Sequence, residues 1–286
     1  MDNLKAKKRH PEEIAVYSAI YVCAAFSVFL LLGIIVYVFA KGARRVNWAF
    51  LTGVTSILHG TVGIAGNILN TLIIILLTMI ITTPIGVGAA IYLNEYAKPG
   101  KLVTVIIFAT ETLAGIPSII FGLFGMLFFG QLCHMGYSLL TGSLTLTLMV
   151  LPLVTRNTQE ALKTVPDSFR TGAVGLGAGK WYTIRTILLP SAMPGIVTGV
   201  ILAIGRIIGE SAALLFTAGS AHLLPKTFDA FLEKIFHSGG TLTIQLYLSA
   251  SKGEFDVAFG IAVVLLVIVL LINFGTKRLA KKLEKH

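Results

Sequence analysis

The segment GAVGLGAGKWYTIRTILLP, Gly172 to Pro190, carries four glycines in its first eight residues, then a basic, aromatic run and a proline. Read alone, it invites comparison with a phosphate-cradling loop. A Walker A loop needs a glycine, four residues, then Gly-Lys-Ser/Thr. Here Gly179-Lys180 has Val174 in the place of that first glycine and Trp181 in the place of the hydroxyl. No strand precedes the segment, so the dinucleotide fingerprint lacks its context too. The surrounding chain points elsewhere. Of its 286 residues 55% are hydrophobic and 13% charged, and its mean hydropathy is +0.86. A soluble domain averages about 25% charged, so this composition is that of an integral membrane protein.

Crossing about 30 Å of hydrocarbon takes about 20 mostly apolar residues. Six candidate spans follow, at about 14–40, 68–93, 102–129, 139–154, 192–218 and 257–274. The third is interrupted by Glu111 and by GIPS at Gly115 to Ser118. Its main span is expected after Pro117, with an oblique, partly polar helix before it. The first apolar run, about 27 residues, is longer than the roughly 7–15 of a secretory h-region and reads as a retained helix. The expected fold is an all-α polytopic membrane protein, with every backbone group paired inside its own segment. Its divisions are an N-terminal tail, 1–13, and a single membrane domain, 14–286, that includes a loop at 156–190.

Lysine and arginine placement orients the spans. The net charge of +10 is spread in short clusters between apolar runs, not in the aromatic-interleaved stripe that single-stranded nucleic acid needs. With the N-terminus inside, 16 of the 23 Lys and Arg fall on the inner side and six on the outer, with Arg206 in the fifth span. That split predicts cytoplasmic termini and a cytoplasmic 156–190 loop, although KGARR at Lys41 to Arg45 runs against it. Cys23 and Cys133 lie in apolar runs, with no disulfide framework. His59, His134, His222 and His237 lack metal-ligand spacing. Gly115, Pro117, Gly122 and Gly125 read as aids to close helix packing.

Within the loop, VPDSFRTGAV, Val165 to Val174, can form a short helix. Pro166 suits its first turn and Asp167 and Ser168 its N-terminus, while Phe169 and Ala173 share a face. Gly175, Gly177 and Gly179 then end it at a reversal where a positive φ is expected. The residues alone leave two readings open, a hairpin that docks on a partner and a plain inter-helix loop.

The same residues resemble the signature of ABC importer permeases: Glu-Ala-Ala, three residues, Gly, nine residues, Ile, any residue, Leu-Pro. Thr171-Gly172-Ala173 is followed after three residues by Gly177, and after nine more by Ile187, Leu188, Leu189 and Pro190. Thr171 replaces the family's glutamate and Gly172 its first alanine. GIPSIIFGLFG, GIVTGVILAIGRIIGESAALLFTAGS and TLTIQLYLSAS are similar to the phosphate-specific permeases of the PstA type, from about residue 68 to the end. The resemblance implies a type I importer permease, with Phe169, Thr171, Gly172, Ala173, Gly177, Ile187 and Pro190 coupling to an ATPase. It also implies a PstC-type permease as heterodimer partner, two PstB-type ATPases that bind ATP and Mg, and a PstS-type phosphate-binding protein. No cofactor or catalytic site is expected in this chain.

Arg206 and Glu210, four apart in the fifth span, are expected on one helical face. A charge at mid-membrane costs about 2.5–3.5 kcal/mol on insertion scales and marks a bundle interior or a water-filled path. One reading has Arg206 meet phosphate through its planar fork of donors, held by Glu210. The other makes them a self-neutralising pair. Arg170 faces the exiting anion, the ATPase or solvent. Glu111 is either a second intramembrane ion or a side chain snorkelling to the interface. A secondary transporter would show inverted halves and coupling carboxylates, and a membrane-embedded enzyme a convergent catalytic cluster. Neither pattern is visible. A sibling permease for molybdate or sulfate fits Arg206 equally well.

Overall fold

The computed structural model describes residues 11–56, 61–225 and 227–283. Most of the expected N-terminal tail, His59, Lys226 and Lys285 lie outside the described residues. The chain runs through α1 (Pro11–Gly42), α2 (Trp48–Thr52), a hairpin of β1 (Val54–Ser56) and β2 (Thr61–Ile64), α3 (Ala65–Ile91), α4 (Lys101–Gly115), α5 (Ser118–Gly125) and α6 (Leu139–Lys163). It continues through α7 (Asp167–Gly175), α8 (Lys180–Thr183), α9 (Leu189–Gly209), α10 (Ala212–Thr217), α11 (Phe228–Glu233), α12 (Leu242–Ser251) and α13 (Phe255–Leu283).

Among the described residues five helical stretches are long and apolar enough to cross a membrane, and the bent pair that begins with α4 and α5 passes the same test only when taken together. The pair turns by 103° at Ile116-Pro117, because the residue before proline is driven from the helical region. The oblique helix expected before Pro117 is α4. Pro190 does not stop its helix. Residues Ile184–Leu188 form a π-turn immediately before it, and the wider turn accommodates the missing donor and the ring. The helix therefore runs unbroken from Lys180 to Gly209.

The fifth span starts at Lys180 rather than near 192 and the last runs to Leu283 rather than 274, and two further boundaries differ from the sequence expectation in ways that bear on the site. The fourth span continues past Val154 to Lys163, carried by polar helix formers and an Arg156–Glu160 pair one turn apart. The fifth does not reach Ala218. It ends at Gly209, and Glu210, in extended backbone, separates it from α10. Hydropathy stays high across that break, so composition conceals it.

The core sits where α3, α6, α9 and α10 meet, around Ile74, Leu146, Val150, Ala203, Ile207 and Leu214. Small residues allow the close approach. A Cβ on Gly125 would lie 2.0 Å from Thr145 Oγ1, and one on Gly122 would lie 2.8 Å from Ala213 Cα. Both glycines thus serve packing, whereas Gly115 meets nothing. α6 is rich in hydroxyls, and Ser143, Thr145 and Thr147 each donate to the carbonyl four residues back. That pairing lets polar side chains stay buried without a foreign partner. α1 is exposed all round its membrane stretch and touches α13 where Gly42 meets the Phe259 carbonyl and Tyr37 the Phe259 ring.

These contacts order the ends. Gly42, Ala65, Leu139 and Phe255 lie at one end of the bundle. The end of α3, the end of α6 and the α7–α8 hairpin lie at the other. α1 and α13 run antiparallel from the Gly42–Phe259 contact, so both described chain ends lie at the hairpin end. At the opposite end Asn67 and Asn70 both donate to the Gly240 carbonyl, and Thr71 accepts from Leu242 N. They draw the start of α12 into the bundle beside the α9–α10 break, where Thr243 donates to the Glu210 carbonyl at 2.8 Å.

Candidate functional site

Two places carry the sequence-predicted residues. The first is the last turn of α9, where Arg206 lies, and the break that follows it. Gly195 lies against Ala161 and Gly199 against Asn157, so the antiparallel register sets Arg206 level with Val150. With a rise of about 1.5 Å per residue, that is about 17 Å from the start of α6 and about 20 Å from its end. Ala192, Ile196, Gly199, Ala203 and Ile207 face the core. The open face carries Ser191, Thr198, Leu202, Gly205, Arg206 and Gly209. Arg206 is therefore an exposed cation level with the middle of α6, on an outward-looking stripe of α9.

Glu210 does not hold it. Among the described residues neither side chain enters an ion pair with the other. The expected shared face is lost because the helix stops at Gly209. Glu210 instead accepts from Ala213 N at 3.0 Å and caps α10. An acidic side chain at a helix start satisfies an otherwise orphaned donor. The sequence signal for this was GES, a glycine followed by two cap-forming residues within an apolar run.

The second place is the hairpin. α7 begins at Asp167, one position later than expected, with Pro166 as its cap residue rather than in its first turn. It closes with a Schellman turn, in which Ala178 N donates to Ala173 O at 3.0 Å and Gly177 N to Val174 O at 2.9 Å. Gly177 adopts φ +79°, the positive value expected of it. Ala173 is buried, while Phe169, Thr171 and Gly172 are exposed. Gly172 has open space around a Cβ, so an alanine there would fit. Ile187 is half-buried in the π-turn below Pro190. Leu176 at the tip is 91% exposed, and Val174, Trp181 and Tyr182 stand out with it. These four were not singled out from the sequence. Exposed apolar side chains clustered at a polar, glycine-rich turn mark a candidate partner surface.

Arg170 faces neither an open path nor solvent. All five guanidinium N–H groups are used. Nε and Nη2 donate to Glu95 Oε1 at 3.3 and 2.9 Å, Nη1 to Val165 O and Asp167 Oδ1, and Nη2 to Leu162 O. The Glu95 hydrogen bond holds the guanidinium above its ordinary pKa. Glu111 lines a cleft of about 200 Å³ with Leu93, Ile107, Thr110, Arg156, Gln159, Glu160 and Lys163, at the hairpin end. Among the described residues no group of three or more His, Cys, Asp or Glu could hold a metal ion. Cys23 and Cys133 are free and exposed.

A bundle whose Arg206 looks away from its own core, and whose hairpin presents exposed apolar side chains at one end, has the form of one subunit of a larger assembly. The model of the family described as binding-protein-dependent transport system inner membrane component matches residues 82–286, and the chain belongs to that family. It is 35% identical over 274 residues to the probable ABC transporter permease protein YqgI of Bacillus subtilis, covering 92% of this chain and 93% of that one. It is 35% identical over 246 residues to the phosphate transport system permease protein PstA of Xylella fastidiosa, covering 84% and 82%. The fold matches a chain of a bacterial alginate ABC transporter with a TM-score of 0.71 at 14% identity, covering 96% of each.

Proposed function

We propose that this multi-pass membrane protein is the permease subunit of an ABC importer that carries inorganic phosphate across the cytoplasmic membrane. It pairs with a PstC-type permease and receives phosphate from a PstS-type binding protein outside. ATP and Mg are bound and hydrolysed by two PstB-type ATPase subunits, since the chain needs no ATPase site of its own. The observation that carries this reading is Arg206, the cation on the open face of α9. A planar guanidinium binds a tetrahedral oxyanion by paired donors, and a second permease laid over that face would enclose a path. PstA-named relatives support phosphate as the oxyanion.

The two places then act in series. The ATPase grips the exposed tip around Phe169, Leu176 and Trp181. Gly177 and Ala173 keep the tip folded, Thr171 and Gly172 lie on its accessible side, and the continuous helix through Ile187 and Pro190 carries movement toward Arg206. The chain should be reconstituted with its second permease, ATPase and binding protein. ATP-dependent uptake of labelled phosphate is expected, in preference to sulfate or molybdate. Uptake of another oxyanion in preference would move the substrate assignment, and uptake without ATP or the ATPase would refute the reading.

A further inference from the structure

The Arg170 network fixes the hairpin to a second helix, and the motif residues do not account for that. Glu95 belongs to the π-turn Tyr92–Tyr96 that ends α3, seventy-five residues away in sequence, and its side chain is only 9% exposed. The hairpin's other arm sits on the same turn, with Lys180 Nζ 4.7 Å from the centroid of the Tyr96 ring. Just below, Val87 and Ile91 of α3 pack against Leu162, Val165, Ile184 and Leu188. Both arms of the hairpin are thus seated on one helix end. α3 in turn crosses the bundle to the opposite end, where Asn67, Asn70 and Thr71 hold the start of α12 beside Glu210.

We infer that Glu95 and Arg170 are positioning residues that couple the hairpin to α3, so that ATPase closure drives α3 together with α9. The inference rests on the proposed transport function and adds a second mechanical route to it. The chemistry favours a rigid link. Five donors on one planar group fix its orientation as well as its position, which a lone lysine cannot do. Through α3, hairpin movement reaches the Gly240–Thr243 segment and hence the backbone at the α9–α10 break. α9 alone would move the arginine without moving what closes over the break.

The test is the number of ATP molecules hydrolysed per phosphate imported, measured on the full transporter in proteoliposomes. Glu95→Gln keeps the shape and loses the charge. Arg170→Lys keeps the charge and loses the fork. Each should leave the assembled complex hydrolysing ATP while raising the ratio about threefold or more. In a Glu95→Cys, Arg170→Cys variant with Cys23 and Cys133 replaced by serine, a short bifunctional thiol reagent should lower the ratio again. If both rates fall in proportion to the amount of assembled complex and the ratio stays at the wild-type value, the pair is a structural fastener only and the inference fails. It fails equally if neither rate changes. A wild-type complex that imports no phosphate would instead overturn the transport reading on which the inference rests.

Discussion

Gly177 is the position where backbone geometry and proposed coupling meet. Its φ of +79° lies where an L side chain is strained whatever the space, and the space is open, with nothing within 4 Å of a Cβ. Sterics with neighbours therefore contribute nothing, and the penalty is conformational alone. A non-glycine residue in the left-handed region costs about 1–2 kcal/mol, more for a β-branched one and less for asparagine. At about 1.4 kcal/mol per tenfold, Gly177→Ala should reduce the ratio of closed to open turn about 5- to 30-fold, and Gly177→Val further. The two Schellman hydrogen bonds would open, and the Leu176 tip would lose its shape while the membrane bundle stays folded. The assay is co-purification of the ATPase with the permease in mild detergent, beside ATP-driven phosphate uptake, across Gly177→Asn, Gly177→Ala and Gly177→Val. Both signals should fall in that order at constant permease abundance. If Gly177→Val retains its ATPase and transports like Gly177→Asn, the turn is not what seats the partner.

The packing at Gly125 predicts that Gly125→Val lowers the thermal stability of the complex by overpacking against Thr145, an effect of about 1–3 kcal/mol, whereas Gly115→Ala, in open space, should be near neutral. Lys234 is buried, donates to the Leu223 carbonyl, and has its pKa lowered by loss of hydration. A lowered folded pKa means that the unfolded chain binds more protons between that value and the ordinary lysine value near 10. Stability should therefore gain with rising pH across that interval, and Lys234→Met should abolish that gain in a melting-temperature series. A reporter active only outside the cell should be silent when fused after Lys285 and active when fused near Lys226; the reverse would put the hairpin on the wrong side for any ATPase.

The five long apolar helices were legible because long apolar runs have few other uses, and the hairpin because glycine spacing reports positive φ and reversal directly. The oblique α4 was legible from Pro117. What escaped were features that depend on partners distant in sequence. The break at Gly209 lies inside a uniformly apolar run, and only the capping bond from Ala213 to Glu210 reveals it, so the Arg206–Glu210 pair dissolved. Arg170 read as an exposed cation because its main partner, Glu95, lies in another part of the chain, and its carbonyl partners have no sequence signature. Asn67 and Asn70 carry no motif in the sequence, yet they hold the α12 segment. The exposed Leu176 and Trp181 were hidden by their type, since apolar residues near a span are expected to be buried in lipid.

The central claim is that Arg206 meets the transported oxyanion on the open face of α9. A hydrogen bond to a charged group is worth about 1.5–3 kcal/mol, which at about 1.36 kcal/mol per tenfold is about 10- to 150-fold in rate. The decisive measurement is the initial rate of ATP-dependent labelled-phosphate uptake, normalised to assembled complex, for Arg206→Gln beside Glu210→Gln. The account predicts a loss of that size for Arg206→Gln. It predicts a small change for Glu210→Gln, which keeps an oxygen to cap Ala213 N. Arg206→Gln complexes that import phosphate at close to the wild-type rate would contradict it.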